Sequence, residues 1–195
     1  MNTFGRKYRV SIFGESHGEL IGVVMDGVPA GLELSAQDLM ADIQRRKSGA
    51  KGTTPRLEDD IPQIVSGVFE GHTTGAPLTV VFRNNNTHSS DYETFAAMPR
   101  PGHADLTAHL KYNGYEDYRG GGHFSGRLTA PLVFAGAVAK LALRERGIEV
   151  LARIRQIENV EDTPLDLCAP DLDALRAALA AAGVSVISSA ETVLR

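Results

Sequence analysis

The chain has 195 residues, 43% of them apolar and 23% charged, the composition of a globular protein with room for one ordinary domain or two small ones. Its formal net charge of −4 argues against a general polyanion surface, so an anionic ligand must be met by local basic clusters. One cysteine, Cys168, excludes an internal disulfide framework and a four-cysteine zinc site. No apolar run reaches the ~20 residues of a membrane span, and Met1 to Phe13 lacks the apolar core of a signal peptide, so a reducing cytoplasm is the expected location. Glycine is in excess, 20 residues against a usual share of about 7%, and it gathers in short motifs.

Tyr8, Val10 and Ile12 alternate with polar residues and predict a half-buried strand. Leu20 to Met25 predicts a second strand, ended by Asp26-Gly27. The polar Gly14-Glu15-Ser16-His17-Gly18 between them reads as a tight connection beside a sheet. Ser35 is the expected N-cap of a helix with Leu34 and Leu39 as its hydrophobic staple. Leu39, Met40 and Ile43 form its stripe, Arg45, Arg46 and Lys47 its last turn, and Gly49 its C-cap. Ser48 to Asp60 is a predicted loop. Ile64 to Phe69 and Leu78 to Phe82 predict two strands joined by Glu70 to Gly75. Arg83 to Tyr92 and Pro99 to Asp105 are predicted loops. Thr129 is the expected N-cap of a helix through Leu143, with Pro131 in its first turn and apolar residues on nearly all sides. Gly147 ends it, Ile148 to Ile154 predicts a strand, and Asp171 to Ala182 a last helix stopped by Gly183. The interleaving is irregular, so the fold class is α+β with antiparallel sheet favoured over parallel.

Four places could carry chemistry. His17, flanked by small residues at a strand end, can titrate near neutral pH, or simply satisfy loop hydrogen bonds. Gly120-Gly121-Gly122, with Arg127 beyond, could bind an anion through loop amides and the following helix N-terminus, or be a flexible turn. The run Arg45-Arg46-Lys47, with Lys51 and Arg56, is either a solvated face or an anion-binding rim. His103 in its Pro-Gly loop is either functional or structural. With one cysteine and no paired-histidine pattern, no metal is expected. Taken singly, these leave open a lyase acting on a phosphorylated acid, a nucleotide-dependent phosphotransferase and a non-catalytic flavin-binding module.

Taken together, the motifs say more. Phe13-Gly-Glu-Ser-His-Gly18, continuing through Gly22-Val-Val-Met-Asp-Gly-Val-Pro29, resembles the first signature of the chorismate synthases. Arg100-Pro-Gly-His-Ala-Asp105 and Asp117-Tyr-Arg-Gly-Gly-Gly122 are similar to two further family blocks. Ser125-Gly-Arg127-x-Thr129 with Val133 and Gly136-Ala137 resembles the second signature. The order and spacing fit from Phe4 to about Ile154.

The resemblance implies antiparallel sheets sandwiching helices, with residues 1–195 as the N-terminal part of a single domain, usually in a homotetramer. It implies a 1,4-anti elimination of phosphate from 5-enolpyruvylshikimate 3-phosphate to give chorismate, for aromatic amino-acid biosynthesis by the shikimate pathway, with reduced flavin mononucleotide required. His17 corresponds to the family's proton donor to the departing phosphate and His103 to the histidine near the flavin. Ser16 and Ser125 match serines of the proton network. His123, Phe124 and Ser125 occupy the flavin-contacting position, where many relatives carry Arg-Ser-Ser. Arg46 matches the arginine assigned to NADP binding in members that reduce their own flavin. Arg45, Arg46 and Arg127 suit a substrate with one phosphate and two carboxylates. Neither nucleic acid nor membrane is an expected partner. Family chains run to about twice this length, and Val184 to Ser189 departs from the family's usual continuation after Gly183. The chain is therefore expected to be incomplete and inactive alone.

Overall fold

The computed structural model describes residues 2–48, 56–87, 89–161, 171, 173 and 190–194. They fall in two compact units, Met1–Ala139 and Lys140–Arg195.

In the first unit β1 (Thr3–Phe4), β2 (Arg9–Gly14) and β3 (Leu20–Asp26) form a meander. Helix α1 (Ala36–Arg46) follows, then β4 (Gln63–Ser66), β5 (Val68–Phe69), β6 (His72–Thr73) and β7 (Leu78–Arg83). The main sheet has the order β1-β2-β3-β7-β4, every neighbouring pair antiparallel. The period-2 pattern puts Ile21, Val23 and Met25 of β3 and Leu78, Val80 and Phe82 of β7 on one fully buried face. Each such side chain stabilises the fold by about 1.5–3 kcal/mol. Phe13 is paired with Gly22, where a Cβ would meet the Phe13 ring at 2.4 Å; the glycine makes room for the ring. The expected strand Ile64 to Phe69 is broken at Gly67, which has φ +87 and a register shift beside it. Its second half pairs with β6 as a small hairpin, in a stretch expected to be only a connection.

Helix α1 begins directly after Ser35, and the staple residues Leu34 and Leu39 are both buried, as is Ile43. The expected Gly49 cap lies outside the described residues. So do Lys51, Cys168 and most of the expected helix Asp171 to Ala182.

Helix α2 (Asp105–Tyr112) was not expected from the sequence. It closes at Asn113, whose left-handed backbone (φ 54) caps the helix by donating to His109 O. Short 3-10 segments span Ser89–Ala96, Arg119–Phe124 and Gly126–Leu128. Helix α3 (Thr129–Arg144) corrects two expectations. Thr129 is its first helical residue rather than its N-cap, and its Oγ1 donates back to Gly126 O at 2.6 Å. Ser125 does the capping one turn earlier, its Oγ accepting from Arg127 N at 3.3 Å. The helix is also buried on one side rather than all round. Ala130, Phe134, Ala135, Ala137 and Val138 are inside, Leu132 and Val133 half-buried, and Gly136 exposed. Tyr8 donates to Ala135 O at 2.8 Å, and burial pushes its phenol pKa up. With the glycine turn before it, Arg119–Arg144 is apolar and long enough to cross a membrane, contrary to expectation. Its continuous α-helix has only 16 residues, fewer than the ~20 a span needs.

In the second unit Gly147, at φ +69, donates to Arg144 O at 2.9 Å and ends α3. Then β8 (Val150–Ile154) pairs antiparallel with β11 (Ala190–Leu194). Between them β9 (Gln156–Ile157) and β10 (Val160–Glu161) form a tight hairpin.

Candidate active site

The turn from β2 to β3 carries Ser16 and His17, 1% and 8% exposed. Ser16 N donates to Gly122 O at 3.0 Å, which ties this turn to the triple glycine. His123 Nδ1 donates to Gly14 O at 2.8 Å and adds a second tie. All three glycines have positive φ (60, 82 and 55), a conformation other residues adopt only with strain. A Cβ on Gly122 would lie 2.0 Å from Asp117 O, and one on Gly120 within 3 Å of the His17 ring and of Ser16 Oγ. Gly120 is there for close packing against the histidine, and Gly122 for close packing against the Asp117 backbone. Gly121 N and Ser125 N donate to Tyr118 O and Gly122 O.

His17 packs edge-on against Tyr92, ring centroids 4.9 Å apart. Its pKa is lowered from the usual 6.5 by burial first, then by the Arg56 and Arg119 charges, with Asp117 and Glu58 opposing. Arg56 reaches Ser16 twice, Nη1 to Oγ at 2.8 Å and Nη2 to the carbonyl at 2.9 Å. It is held by Glu58 (2.6 and 2.9 Å), which in turn accepts from Asn85 N at 2.8 Å. Arg119 is paired bidentately with Asp117, both bonds 2.8 Å.

His103 is exposed in the turn before α2. It lines a cleft of about 150 Å³ with Arg100, Gly120, Gly121, Phe124 and Ser125. Gly120 thus touches both histidine environments. Arg100 is pinned by Asp105 at 2.8 and 2.9 Å and lies over the Phe95 and Tyr92 rings. Beyond Phe124 and His123 opens a larger cleft of about 700 Å³, walled by Phe13, Phe95, Tyr112 and Tyr118. A hollow of this size with several aromatic side chains in its wall, and Glu15, Asp105, Glu116 and Asp117 also lining it, has room for a flat heteroaromatic ligand. His123 and Phe124 line the larger cleft, and Phe124 and Ser125 the smaller one.

The three arginines expected to meet substrate each lie beside a carboxylate. Arg127 is buried and ion-paired to Asp60, and it also donates to Asn84 Oδ1 at 3.0 Å. Arg46 binds the same Asp60 at 2.9 Å and Thr129 Oγ1 at 3.0 Å. Arg45 is exposed, 3.7 Å from Asp42. Arg56, Arg119 and Arg100 are the cations the structure sets around His17 and His103. Arg56 had been noted only within a basic run. Asp60, Asn84 and Tyr92 gave no local signal, because partners such as Arg127 and His17 lie tens of residues away. Among the described residues no cluster of histidine, cysteine and carboxylates could hold a metal ion.

The family model for chorismate synthase matches residues 8–192, well beyond Ile154, where the motif resemblance stopped. A chorismate synthase of Chitinophaga pinensis is 59% identical over 162 residues, covering 83% of this chain and 48% of the relative. One from Dehalococcoides mccartyi is 49% identical over 160 residues, covering 82% and 44%. A crystal structure of a chorismate synthase superposes with a TM-score of 0.57 at 33% identity, covering 80% of this chain and 40% of that one. The chain spans about half the length of the curated relatives it matches. The family match over most of its residues, on an antiparallel α+β scaffold shared with a solved member, shows that the chain belongs to the chorismate synthase family.

Proposed function

We propose that the chain carries the proton-donating half of an active site that eliminates phosphate from 5-enolpyruvylshikimate 3-phosphate to give chorismate. The observation that supports this best is His17, buried against Gly120 and facing the positive field of Arg56 and Arg119. Without ligand these charges and burial favour neutral imidazole. A bound phosphate dianion reverses that balance, since negative charge beside the ring favours its cationic form. His17 is then protonated in the complex, and it gives its proton to the phosphate oxygen as the C–O bond breaks. Ser16, fixed through Arg56, adds a hydroxyl beside the ring.

The aromatic cleft and the residues at its edge fit reduced flavin mononucleotide. His123 and Phe124 would hold it from one side, with Ser125 and His103 at the adjoining cleft. When bound, reduced flavin supplies electron density transiently to the breaking bond with no net redox change. His103, exposed in its turn, is placed to exchange protons at that edge.

This reading carries with it a cytoplasmic enzyme, homotetrameric at the family's length. NADP binding at Arg46 requires that residue to be shared with Asp60 and Thr129. Nicotinamide oxidation without an external reductase tests that part. The main test is chorismate formation, by the protein at the length of its relatives, from 5-enolpyruvylshikimate 3-phosphate and reduced flavin. An enzyme that binds both and releases no phosphate overturns the reading.

A further inference from the structure

We propose that Asn84, first of the three consecutive asparagines after β7, is a positioning residue for His17. The proposal rests on the reading of His17 as proton donor. Asn84 Nδ2 donates to the carbonyls of Glu15 (3.0 Å) and Gly18 (2.8 Å), the residues immediately flanking Ser16 and His17. Its backbone N–H donates to Glu19 O at 3.1 Å. One side-chain amide therefore uses both N–H bonds to draw together the two ends of the turn that carries the histidine.

A primary amide can be turned end for end, which would set its oxygen against those two carbonyls. Arg127 prevents this, because its Nε donates to Asn84 Oδ1 at 3.0 Å. Arg127 is itself immobilised by Asp60 and by Arg83 O. The buried ion pair thus acts on the histidine through one oriented amide. Aspartate at this position would keep the contact with Arg127 but face two carbonyls with a second oxygen. Alanine would release both ends of the turn. The tolerance is small, since Gly120 lies against the ring with no space for even a methyl group. A turn that relaxes by a fraction of an ångström re-aims the imidazole.

The test uses Asn84→Asp and Asn84→Ala in the protein at the length of its relatives, with steady-state kinetics and an NMR titration of the His17 ring in ¹³C-histidine-labelled protein. The expected result is a kcat lower by about 100-fold, the scale of a misplaced catalytic group, with KM little changed. The His17 titration midpoint should move in the same variants. Wild-type kcat in folded variants overturns the proposal, and so does a kcat loss with an unmoved His17 titration. If circular dichroism shows both variants unfolded, even the isosteric aspartate, Asn84 is a structural residue and the proposal also fails. Should the wild-type protein form no chorismate, the functional reading falls, while the titration still decides whether Asn84 sets the His17 environment.

Discussion

Gly120 and His17 are packed backbone against ring: a Cβ on Gly120 would lie 2.5 Å from His17 Cδ2 and 2.6 Å from Nε2. Real Cβ atoms do not approach so closely, and Gly120 also has φ +60. Gly120→Ala therefore forces both backbone strain and a displaced ring. The expected cost is about 1–3 kcal/mol of stability, read as a lower urea midpoint, together with a fall in turnover. Unchanged midpoint and turnover would show that the ring has room to move.

A second expectation concerns the buried triad. Asp60 carries two arginines at once, and the side chains of Asp60 and Arg127 are 2% and 4% exposed. Asp60→Ala leaves Arg127 charged and buried without its partner, which costs about 3–5 kcal/mol. Replacing the exposed Glu19 that pairs with Arg83 should cost well under about 1 kcal/mol, as a surface pair does. Denaturant melts of the two variants side by side check the contrast.

The main sheet and α1 were legible because their information is local. Val10 and Ile12 announce a strand by period two, the apolar run from Leu20 to Met25 announces its neighbour, and Leu34 with Leu39 announce a helix start. His17 was legible by its motif. The environment that gives His17 its properties was not. Arg127 meets Asp60 across 67 residues and Asn84 across 43, and no periodicity encodes such pairings. Sequence shows the charges of Arg46 and Arg127 without showing that Asp60 holds both. Helix α2 was not expected, although Leu106 and Leu110 have the four-residue spacing of a helical face; the segment is only eight residues long, and both leucines are exposed.

Acidification should destabilise the fold in two separate windows. The unfolded chain binds a proton at His17 near 6.5, while the folded form, with its lowered value, resists. Between the two values the unfolded state binds more protons, so stability rises with pH and is lost as pH falls below about 6.5. A second loss begins as pH falls below the ordinary carboxylate range near ~4. There Asp105 is held low by its hydrogen bonds from Arg100. For Glu58 burial opposes the shift, but the Asn85 N–H and Arg56 outweigh it. His17→Gln should flatten the stability curve between about pH 7 and 5.5 and leave the acid window intact. Equal slopes in variant and wild type would mean that His17 does not titrate in the fold.

Catalysis offers the sharpest separation of roles. His17 is buried and acts on the leaving group, so its effect belongs to the transition state rather than to substrate binding. His17→Ala should lower kcat by about 10²–10⁴-fold, the usual contribution of a positioned acid, with a much smaller change in KM. Arg56→Gln tests the tuning rather than the proton itself. It removes a cation that lowers the His17 pKa and leaves Glu58, which raises it, without its guanidinium partner. The His17 titration, and with it the alkaline limb of kcat/KM, should move to higher pH. His103→Ala should lower kcat too, but without moving that limb, because His103 lies in the cleft on the other side of Gly120. Retention of wild-type turnover by His17→Ala with added reduced flavin would remove His17 from the mechanism. An alkaline limb that follows His103 instead would exchange the two assignments.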